Sequence, residues 1–563
     1  MLRSLFSFLF LLALFATGPA LAQPSDPSAS LTEKVDAVFA EWDSTRSPGC
    51  ALAVMKEGEI VYKRAYGMAN LDHDVPLAVD SVFHVASVSK QFTAAAVLLL
   101  AQEGKLSLDD PIQKHLPRVP DLGHEITLRH LIHHSSGMRD QWSLLGLAGW
   151  RYSRDLITDE DVMSLISRQK GLNFPPGERY LYCNTGYTLL GQVVKEVSGQ
   201  SLREFTKARI FEPLGMHRTH FRDDFSEIVK NQATGYRRDR SHATFRVSVT
   251  NFDTVGATSL LTTVEDLARW DRNFYQPLVG GEQLLEQLHQ RGVLNSGRDQ
   301  TYASGLVHGT YKGLRTVSHG GADAGYRAHF LRFPEQRFSL ACLCNLAQTN
   351  PASLVRQVAD IYLEKELPKK KPESAAKKAA PEVRLGQGEI SRMSGTYWSD
   401  QRGAAVQISG QDGKLKIQLS RSRVYAMKPV DGDRFEVSEL DLSARFEPRD
   451  GNPVRRLIVW SEDEEEESLQ RLEPFEVSAE KLKEFEGAYS SQEIEPIYRI
   501  EAGENLILHR LKSEPDELRP IAKDVFQGRI GHLRFERDAN GTITGFLLEA
   551  GRIRNFAFQK RKE

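Results

Sequence analysis

The sequence predicts an α/β fold in which an antiparallel sheet, flanked by helices and carrying a helical region, is followed by two small antiparallel β-barrels. Three observations lead to this prediction. Strand patterns occur at both ends of the first two thirds of the chain, with helical patterns between them. A stretch rich in Pro, Lys and Ala comes next, and the strand-rich remainder then repeats itself once. Sheets and helices arranged in this order form separate packed layers and separate domains.

Length and charge limit the classes of protein to which the chain can belong. Its 563 residues exceed what one hydrophobic core usually organises, so several domains are expected. The formal net charge is −2 and the Lys-rich stretch 369–378 is short, which disfavours a nucleic-acid partner. No stretch after the N-terminal leader approaches the roughly 18 uninterrupted apolar residues of a membrane span. We therefore expect no membrane span.

The first 22 residues have the pattern of a secretory signal peptide. A positive charge at Arg3 precedes an apolar run, Leu5–Phe15, and small residues end the segment at Ala22. This pattern predicts cleavage after Ala22. The mature protein is then expected in the bacterial cell envelope, either periplasmic or secreted.

The first folded domain is predicted over residues 23–366. Period-two and helical patterns within it predict a sheet built from both ends of the domain, with terminal helices on one face and the helical region on the other. The predicted elements are a helix over Leu31–Trp42, strands over Ala51–Met55, Ile60–Tyr66, Thr316–His319, His329–Phe333 and Phe338–Cys344, and a helix over Leu354–Glu364.

A linker over residues 367–384 and two repeats, 385–476 and 477–563, complete the predicted organisation. The linker has no apolar periodicity. The motif Gly395-Thr396-Tyr397 recurs as Gly487-Ala488-Tyr489, about 90 residues later. Alternating apolar and polar positions with frequent turns predict a small antiparallel barrel for each repeat.

Four cysteines in an oxidising compartment raise the question of disulfides. Cys342 and Cys344 are two residues apart in an apolar strand, at the limit of disulfide geometry, and are predicted to be core thiols. A bridge between Cys50 and Cys183 is a less favoured alternative.

The pattern S-x-x-K occurs four times, and its surroundings single out Ser87 and Lys90. Only this copy opens a strongly apolar helix, which ends near Gly104. Ser87 is expected at the helix N-terminus, with Lys90 one turn later on the same face. Burial lowers the pKa of a lysine enough for it to accept a serine proton. A serine cap beside an exposed lysine is the structural alternative.

Two further motifs carry polar groups that suit acyl transfer. Tyr182 and Asn184 lie on a loop that enters a predicted helix, where a phenol can relay a proton and an amide can bind a substrate carbonyl. A core tyrosine and a helix cap are the alternative. The third motif, His319-Gly320-Gly321-Ala322, lies at the end of a predicted strand. Its glycines allow close approach of substrate, and the Ala322 N–H can join that of Ser87 in an oxyanion hole. A tight turn with a structural histidine is the alternative.

Taken together and in this order, the three motifs resemble those of the penicillin-recognising serine hydrolases. This family includes class C β-lactamases, D-alanyl-D-alanine carboxypeptidases, related esterases and D-aminopeptidase. The resemblance covers residues 31–364 and includes the stretches 126–137 and 262–270. It implies a β-lactamase-like sheet flanked by helices. The plan of a catalytic domain followed by two barrels is similar to that of D-aminopeptidase.

The resemblance implies a role for each motif residue. Ser87 would be the nucleophile, Lys90 and Tyr182 would move the proton, Asn184 would contact substrate, and His319 would stand in the third motif. His319 occupies the place where β-lactamases and carboxypeptidases usually have Lys. A fixed charge for a substrate carboxylate is thus missing, so substrates without such a carboxylate and weak or absent β-lactamase activity are expected.

The favoured function is an exported serine hydrolase acting through an acyl-enzyme on small peptides, amides or esters, similar to D-aminopeptidase. A carboxylesterase using the same residues and a non-catalytic binder of cell-wall peptides are the alternatives. No cofactor is expected. A zinc site at His130, His133 and His134 is disfavoured because no H-E-x-x-H motif is present, so no metal is expected either. A homodimer is left open.

Overall fold

The computed structural model describes residues 30–239, 241, 244–367, 385–420, 423–431, 433–437, 440, 442–447, 454–460 and 466–562. The signal peptide and nearly all of the linker lie outside the described residues, so both stay predictions. Among the described helices, none combines the length and the apolar character that crossing a bilayer requires.

The first domain contains many helices, and several begin at side-chain caps. Ser30 and Glu33 form a capping box at the first helix, which satisfies backbone N–H groups that the helix leaves free. The helices are α1 (Leu31–Phe39), α2 (Lys90–Gln102), α3 (Ile112–His115), α4 (Leu128–Ile132), α5 (Gln141–Leu147), α6 (Asp159–Ser167), α7 (Asn184–Ser198), α8 (Leu202–Thr206), α9 (Val264–Asn273), α10 (Gly281–His289) and α11 (Pro351–Tyr362).

The longer strands of this domain come from both ends of its sequence, and short strands lie between them. They are β1 (Cys50–Lys56), β2 (Glu59–Tyr66), β3 (Met68–Asn70), β4 (Val75–Pro76), β5 (Phe83–His84), β6 (His220–Phe221), β7 (Tyr236–Asp239), β8 (Thr244–Val247), β9 (Leu260–Thr262), β10 (Val307–Tyr311), β11 (Leu314–Asp323), β12 (Tyr326–Phe333) and β13 (Phe338–Cys344). The main sheet is antiparallel, in the order β10-β11-β12-β13-β1-β2. The remaining short strands form small ladders outside it.

The two faces of this sheet bury different helices. Along β1, Leu52 and Val54 belong to a core shared with Val35 of α1 and Val355 of α11. Ala51, Ala53 and Met55 belong instead to the core of the helical region. Alternate residues of a strand point to opposite faces, so α1 and α11 cover one face and the helical region covers the other. The predicted fold class is confirmed.

The cysteine prediction is wrong for two of the four residues. Cys50 and Cys344 are joined by a disulfide, while Cys183 and Cys342 are free and buried. Cys50 lies directly opposite Cys344 in the ladder of β1 and β13. The two strands are almost 300 residues apart in sequence, so their spacing along the chain gives no indication of this pair.

Two closed antiparallel barrels follow. Barrel 1 comprises β14 (Gly395–Ser399), β15 (Ala404–Gln411), β16 (Lys414–Ser420), β17 (Arg423–Asp431), β18 (Arg434–Val437), β19 (Leu442–Glu447), β20 (Arg456–Trp460) and β21 (Glu467–Leu472), preceded by α12 (Gln387–Met393). Barrel 2 comprises β22 (Gly487–Ser490), β23 (Tyr498–Ala502), β24 (Leu506–His509), β25 (Asp516–Ala522), β26 (Val525–Gln527), β27 (His532–Arg537), β28 (Ile543–Ala550) and β29 (Ile553–Lys560), preceded by α13 (Ala479–Leu482).

The repeat detected in the sequence corresponds to one recurring contact. In barrel 1 the buried Tyr397 donates its hydroxyl proton to the carbonyl of Met393 at 2.7 Å. In barrel 2 Tyr489 does the same to Phe485, also at 2.7 Å. A buried hydroxyl needs such a partner, so the repeated tyrosine ties the first strand of each barrel to the turn before it.

Barrel 2 packs directly against the first domain. Its apolar interior is continuous with the core of the helical region, whereas barrel 1 has a separate core. The Tyr498 hydroxyl donates to the Leu147 carbonyl at 2.9 Å. Arg139 pairs with Glu493 of barrel 2, and their side chains are only 3% and 6% exposed. The second barrel is therefore a fixed part of the surroundings of the helical region.

Non-reducing denaturation followed by alkylation tests the disulfide. We expect alkylation of Cys183 and Cys342, because both are free thiols that unfolding exposes. Cys50 and Cys344 should be recovered as one linked peptide pair by mass spectrometry, separable only after reduction. Alkylation of all four cysteines, or a linked peptide containing Cys342, would contradict this pairing.

The Glu493→Ala substitution tests how strongly barrel 2 is docked. It leaves the Arg139 guanidinium buried without its counter-charge, so we expect the free energy of unfolding in urea to fall by about 3–5 kcal/mol. Glu495→Ala is the matched control, since Glu495 pairs with Arg168 across the same interface but is 83% exposed. That change should cost less than about 1 kcal/mol. Equal losses for the two variants would show that burial of the first pair is unimportant.

Candidate active site

Ser87 lies in a 3-10 turn, Ala86–Ser89, that leads into α2. The turn begins at Ala86, whose φ of 49° is unusual for a residue with a Cβ atom. Ser87 is partly exposed, while its neighbours in the turn are buried. Strand β11 approaches so closely that a Cβ atom on Gly321 would lie 2.1 Å from the Val85 carbonyl oxygen. Glycine at 321 therefore lets the strand run alongside the serine.

Lys90 is the first residue of α2, and its side chain is 0% exposed. Its Nζ atom lies 3.1 Å from Ser87 Oγ and donates to Asn184 Oδ1 at 2.9 Å and to the Ala257 carbonyl at 2.7 Å. These three oxygens replace the water that the amine loses on burial. The lysine is thereby held beside the serine hydroxyl.

The surroundings of Lys90 lower the pKa of its amine to about 7. Burial is the main cause, because it disfavours the charged form. The Asp140 carboxylate acts in the opposite direction, and the positive charge of Arg552 lowers the pKa further. A large fraction of Lys90 is therefore a neutral amine at physiological pH.

Tyr182 occupies the loop before α7, and its ring centroid is 4.8 Å from Lys90 Nζ. The His134 ring packs against it at 4.2 Å, and His134 Nδ1 accepts from the Cys183 N–H at 3.1 Å. Burial raises the pKa of the Tyr182 phenol, with a smaller lowering from a side-chain hydrogen bond with Ser87. The phenol is thus protonated at neutral pH and can pass a proton on.

Asn184 begins α7 and connects Lys90 to Asp140. Its backbone N–H and its side-chain Nδ2 both donate to Asp140 Oδ2 at 2.8 Å. This fixes the amide so that Oδ1 faces Lys90. Asp140 is a functional candidate that the sequence analysis missed, although it lies three residues after the His-rich stretch ending at Gly137.

His319 lies within β11, which extends beyond the predicted strand end at His319 and includes the whole third motif. Its Nε2 is 3.1 Å from the Tyr302 hydroxyl and its Nδ1 is 2.7 Å from the Gly320 carbonyl. Burial lowers the pKa of this imidazole to about 3, and the charge of Lys90 adds to the lowering. His319 is therefore neutral at physiological pH.

Ser87, Tyr182 and His319 open onto a cleft of about 490 Å³, while Lys90 and Asn184 lie buried behind them. Its lining includes the exposed part of Ser87, the Tyr182 ring and the edge of β11, together with Arg552 from barrel 2. No sequence pattern indicated Arg552. The residues lining the cleft are Ser87, Tyr182, His319, Gly320, Gly321, Ala322, Arg327, Ala328, His329, Thr349, Asn350, Pro351, Ala352 and Arg552.

The serines of the other S-x-x-K copies that the structure describes lie away from this cleft. The Ser167 hydroxyl donates to the Ser164 carbonyl, and Ser478 caps α13 by accepting from the Lys481 N–H. Ser374 lies outside the described residues. Of the three clustered histidines, His130 accepts from the Thr127 N–H at 3.2 Å and only His134 reaches the tyrosine loop.

Comparison with known proteins shows the family. The sequence profile described as Beta-lactamase matches residues 35–363, which is more than half of the chain. The chain belongs to the beta-lactamase family.

Two curated relatives of this beta-lactamase-family protein extend the match. Penicillin-binding protein 4* of Bacillus subtilis (strain 168) is 29% identical over 430 residues, which cover 73% of this chain and 92% of that protein. A D-aminopeptidase of Gluconobacter oxydans (strain 621H) is 26% identical over 396 residues, covering 69% and 70%.

A solved structure agrees in fold. The octameric penicillin-binding protein homologue from Pyrococcus abyssi has a TM-score of 0.53 and 24% identity, and the match covers 78% of this chain and 99% of that one. The chain is a serine hydrolase with the β-lactamase fold, related to D-aminopeptidases and penicillin-binding proteins.

Proposed function

We propose that this serine hydrolase cleaves amide or ester bonds of small peptide-like substrates through an acyl-enzyme on Ser87. The observation that carries the proposal is the 3.1 Å distance between Ser87 Oγ and the buried amine of Lys90. A serine hydroxyl is a weak nucleophile until a neighbouring base accepts its proton. A lysine with a pKa of about 7 is such a base at neutral pH.

In the acylation step, Ser87 Oγ attacks the substrate carbonyl carbon while its proton moves to neutral Lys90. The tetrahedral intermediate then collapses, the bond to the leaving amine or alcohol breaks, and the proton passes to that leaving group. Tyr182 supports this transfer because its protonated phenol lies beside both Ser87 and Lys90.

The backbone N–H groups of Ser87 and Ala322 are the proposed oxyanion donors. Asp323 and Tyr326 close a two-residue hairpin between β11 and β12, and Ala322 is the next residue inward. The alternation of an antiparallel ladder turns the Ala322 N–H away from β12. On the other side of β11, the pairing with β10 ends at Ser318. No described strand therefore covers the Ala322 N–H there, and it faces the cleft. Such fixed donors stabilise the negative oxygen of the intermediate.

In deacylation, water replaces Ser87 as the nucleophile, and Ser87 becomes the leaving group. Neutral Lys90 accepts a proton from water, the hydroxide attacks the ester carbonyl, and the proton returns to Ser87 Oγ as the acid product leaves. Asn184 Oδ1 keeps Lys90 in place, and its amide is held by Asp140. We expect Asn184 to orient substrate near this point as well.

Relatives and the predicted leader suggest where and on what the protein acts. The curated relative from Gluconobacter is a D-aminopeptidase, which supports peptides or amides with an amino-terminal D-residue as a first substrate class. The disulfide between Cys50 and Cys344 suits an oxidising compartment, in agreement with the predicted signal peptide. We therefore propose a role in the bacterial periplasm or outside the cell. The homodimer stays a prediction.

Ser87→Ala tests the nucleophile. It removes the attacking oxygen, so we expect kcat/KM for amide and ester probes to fall by about a thousandfold or more. Intact-mass measurement of the wild type after incubation with a panel of amides, esters and β-lactams should show an adduct on the peptide that contains Ser87. β-Lactam turnover is expected to be slow.

Ser167→Ala is the matched control, because it removes the serine of another S-x-x-K copy and should leave activity unchanged. Hydrolysis of the ester probes but not of the amide probes would indicate a carboxylesterase. Unchanged biological activity of the Ser87 variant would favour the non-catalytic binder.

The pH dependence tests the base. Lys90 accepts a proton only when neutral, so kcat/KM for an uncharged ester should rise about tenfold per pH unit below 7 and level off above it. Lys90→Arg should remove the activity, since a guanidinium keeps its proton throughout this range. A flat profile between pH 5 and pH 9 would contradict the assignment of Lys90 as the base.

A further inference from the structure

Arg552 is the part of barrel 2 that reaches the catalytic cleft. It lies in the turn between β28 and β29, and it lines the same cleft as Ser87. Its guanidinium carbon is 4.9 Å from the ring centroid of Tyr182. Lys90 Nζ is 4.8 Å from that centroid, so the two cationic groups are less than about 10 Å apart.

The backbone of this turn is held rigidly against the catalytic domain. The Arg552 carbonyl accepts from Asn173 Nδ2 at 3.1 Å, and the Arg554 N–H donates to Asn173 Oδ1 at 2.7 Å. Arg139 donates to the carbonyls of Arg554 and Asn555. A loop fixed in this way places its arginine at a defined point of the cleft wall.

One edge of the Arg552 guanidinium is already oriented. Its NH1 atom donates to Asp140 Oδ2 at 3.3 Å, and Asp140 is only 1% exposed, whereas the Arg552 side chain is 42% exposed. Asp140 Oδ2 also accepts two hydrogen bonds from Asn184. No other acceptor within hydrogen-bond distance of this guanidinium is found among the described residues. The remaining N–H groups of Arg552 therefore stay available to a ligand.

The wall of the cleft is positively charged. Of its residues that the structure describes, two are arginines, Arg327 and Arg552, and none is aspartate or glutamate. Arg327 directs NH1 towards the carbonyls of Ala324 and Tyr326. A free ammonium group of a substrate would find no carboxylate on this wall. A carboxylate would find a planar guanidinium of matching geometry.

We propose that Arg552 binds a carboxylate of the substrate, and that the preferred substrates are carboxylate-bearing amides or esters. Barrel 2 thus supplies, from outside the catalytic domain, the fixed positive charge that His319 does not provide. The inference rests on the proposed acyl-enzyme function. It replaces substrates with a free amino terminus as the first class to test, and it revises the expectation, drawn from His319 alone, that substrates lack such a carboxylate. Because Arg552 lies so close to Lys90, the carboxylate belongs within a few bonds of the scissile carbonyl.

Two matched pairs of esters test this proposal. The first pair differs on the acyl side, 4-nitrophenyl hemisuccinate against 4-nitrophenyl succinamate. The second pair differs on the leaving group, 3-acetoxybenzoate against 3-acetoxybenzamide. In the wild type, the carboxylate member of at least one pair should have the higher kcat/KM. Arg552→Gln should lower the ratio of kcat/KM for the carboxylate member to kcat/KM for the neutral member about ten- to hundredfold. The ratio isolates carboxylate binding, because a change in the pKa of Lys90 affects both members of a pair alike.

Two further variants separate charge from general damage. Arg552→Lys keeps the charge but loses the bidentate fork, so we expect an intermediate loss with the carboxylate probes. Arg519→Gln removes the same charge from an exposed position of barrel 2, where Arg519 is 63% exposed, and should change neither pair. A cooperative thermal unfolding transition, measured for each variant, shows that the variants are folded.

Calorimetric titration of the Ser87→Ala protein with 3-acetoxybenzoate and 3-acetoxybenzamide separates binding from catalysis. If the carboxylate binds more tightly than the amide, and Arg552→Gln removes this difference, the inference about Arg552 is supported. Failure of the wild type to hydrolyse any of the probes would refute only the proposed function. Equal effects of Arg552→Gln on both members of each pair, or equal binding of the two titrants, would overturn the role of Arg552.

Discussion

A buried amine needs hydrogen-bond partners that replace the water around it. For Lys90, segments from across the catalytic domain must supply these partners. Its three oxygen partners are Ser87 from the 3-10 turn before α2, Asn184 from the start of α7, and the Ala257 carbonyl before β9. Each comes from a different part of the chain. The packing of α2 within the helical region keeps water out, and this exclusion is also the main cause of the low pKa of Lys90.

The surroundings of this amine are built outward in layers. Asp140 holds Asn184, His134 holds the Tyr182 loop, and Gly321 lets β11 lie beside the turn of Ser87. Barrel 2 completes the outer wall, and its docking is secured by the buried pair of Arg139 with Glu493. The same domain interface therefore affects stability, the charge of the cleft and, through Arg552, the pKa of Lys90.

Much of the architecture could be predicted because it depends on local periodicity. The repeat and its alternating pattern predicted two barrels, and strands at both ends of the first domain predicted a sheet that joins them. Other features were missed for a common reason. Strand β10 has little apolar alternation, and the pairing of Cys50 with Cys344 depends on β1 lying beside β13. Neither feature is visible in a window of neighbouring residues.

The sequence by itself determined the features that short-range geometry controls. A spacing of three residues places Lys90 one turn after Ser87, and the apolar run after it makes a buried helix. Only the tertiary structure decided which side chains meet that helix from far along the chain. Asp140 reaches Asn184, and Arg552 reaches the cleft, because separate surfaces dock. Docking depends on the shape and burial of whole faces, whereas a motif records only the distance between residues along the backbone.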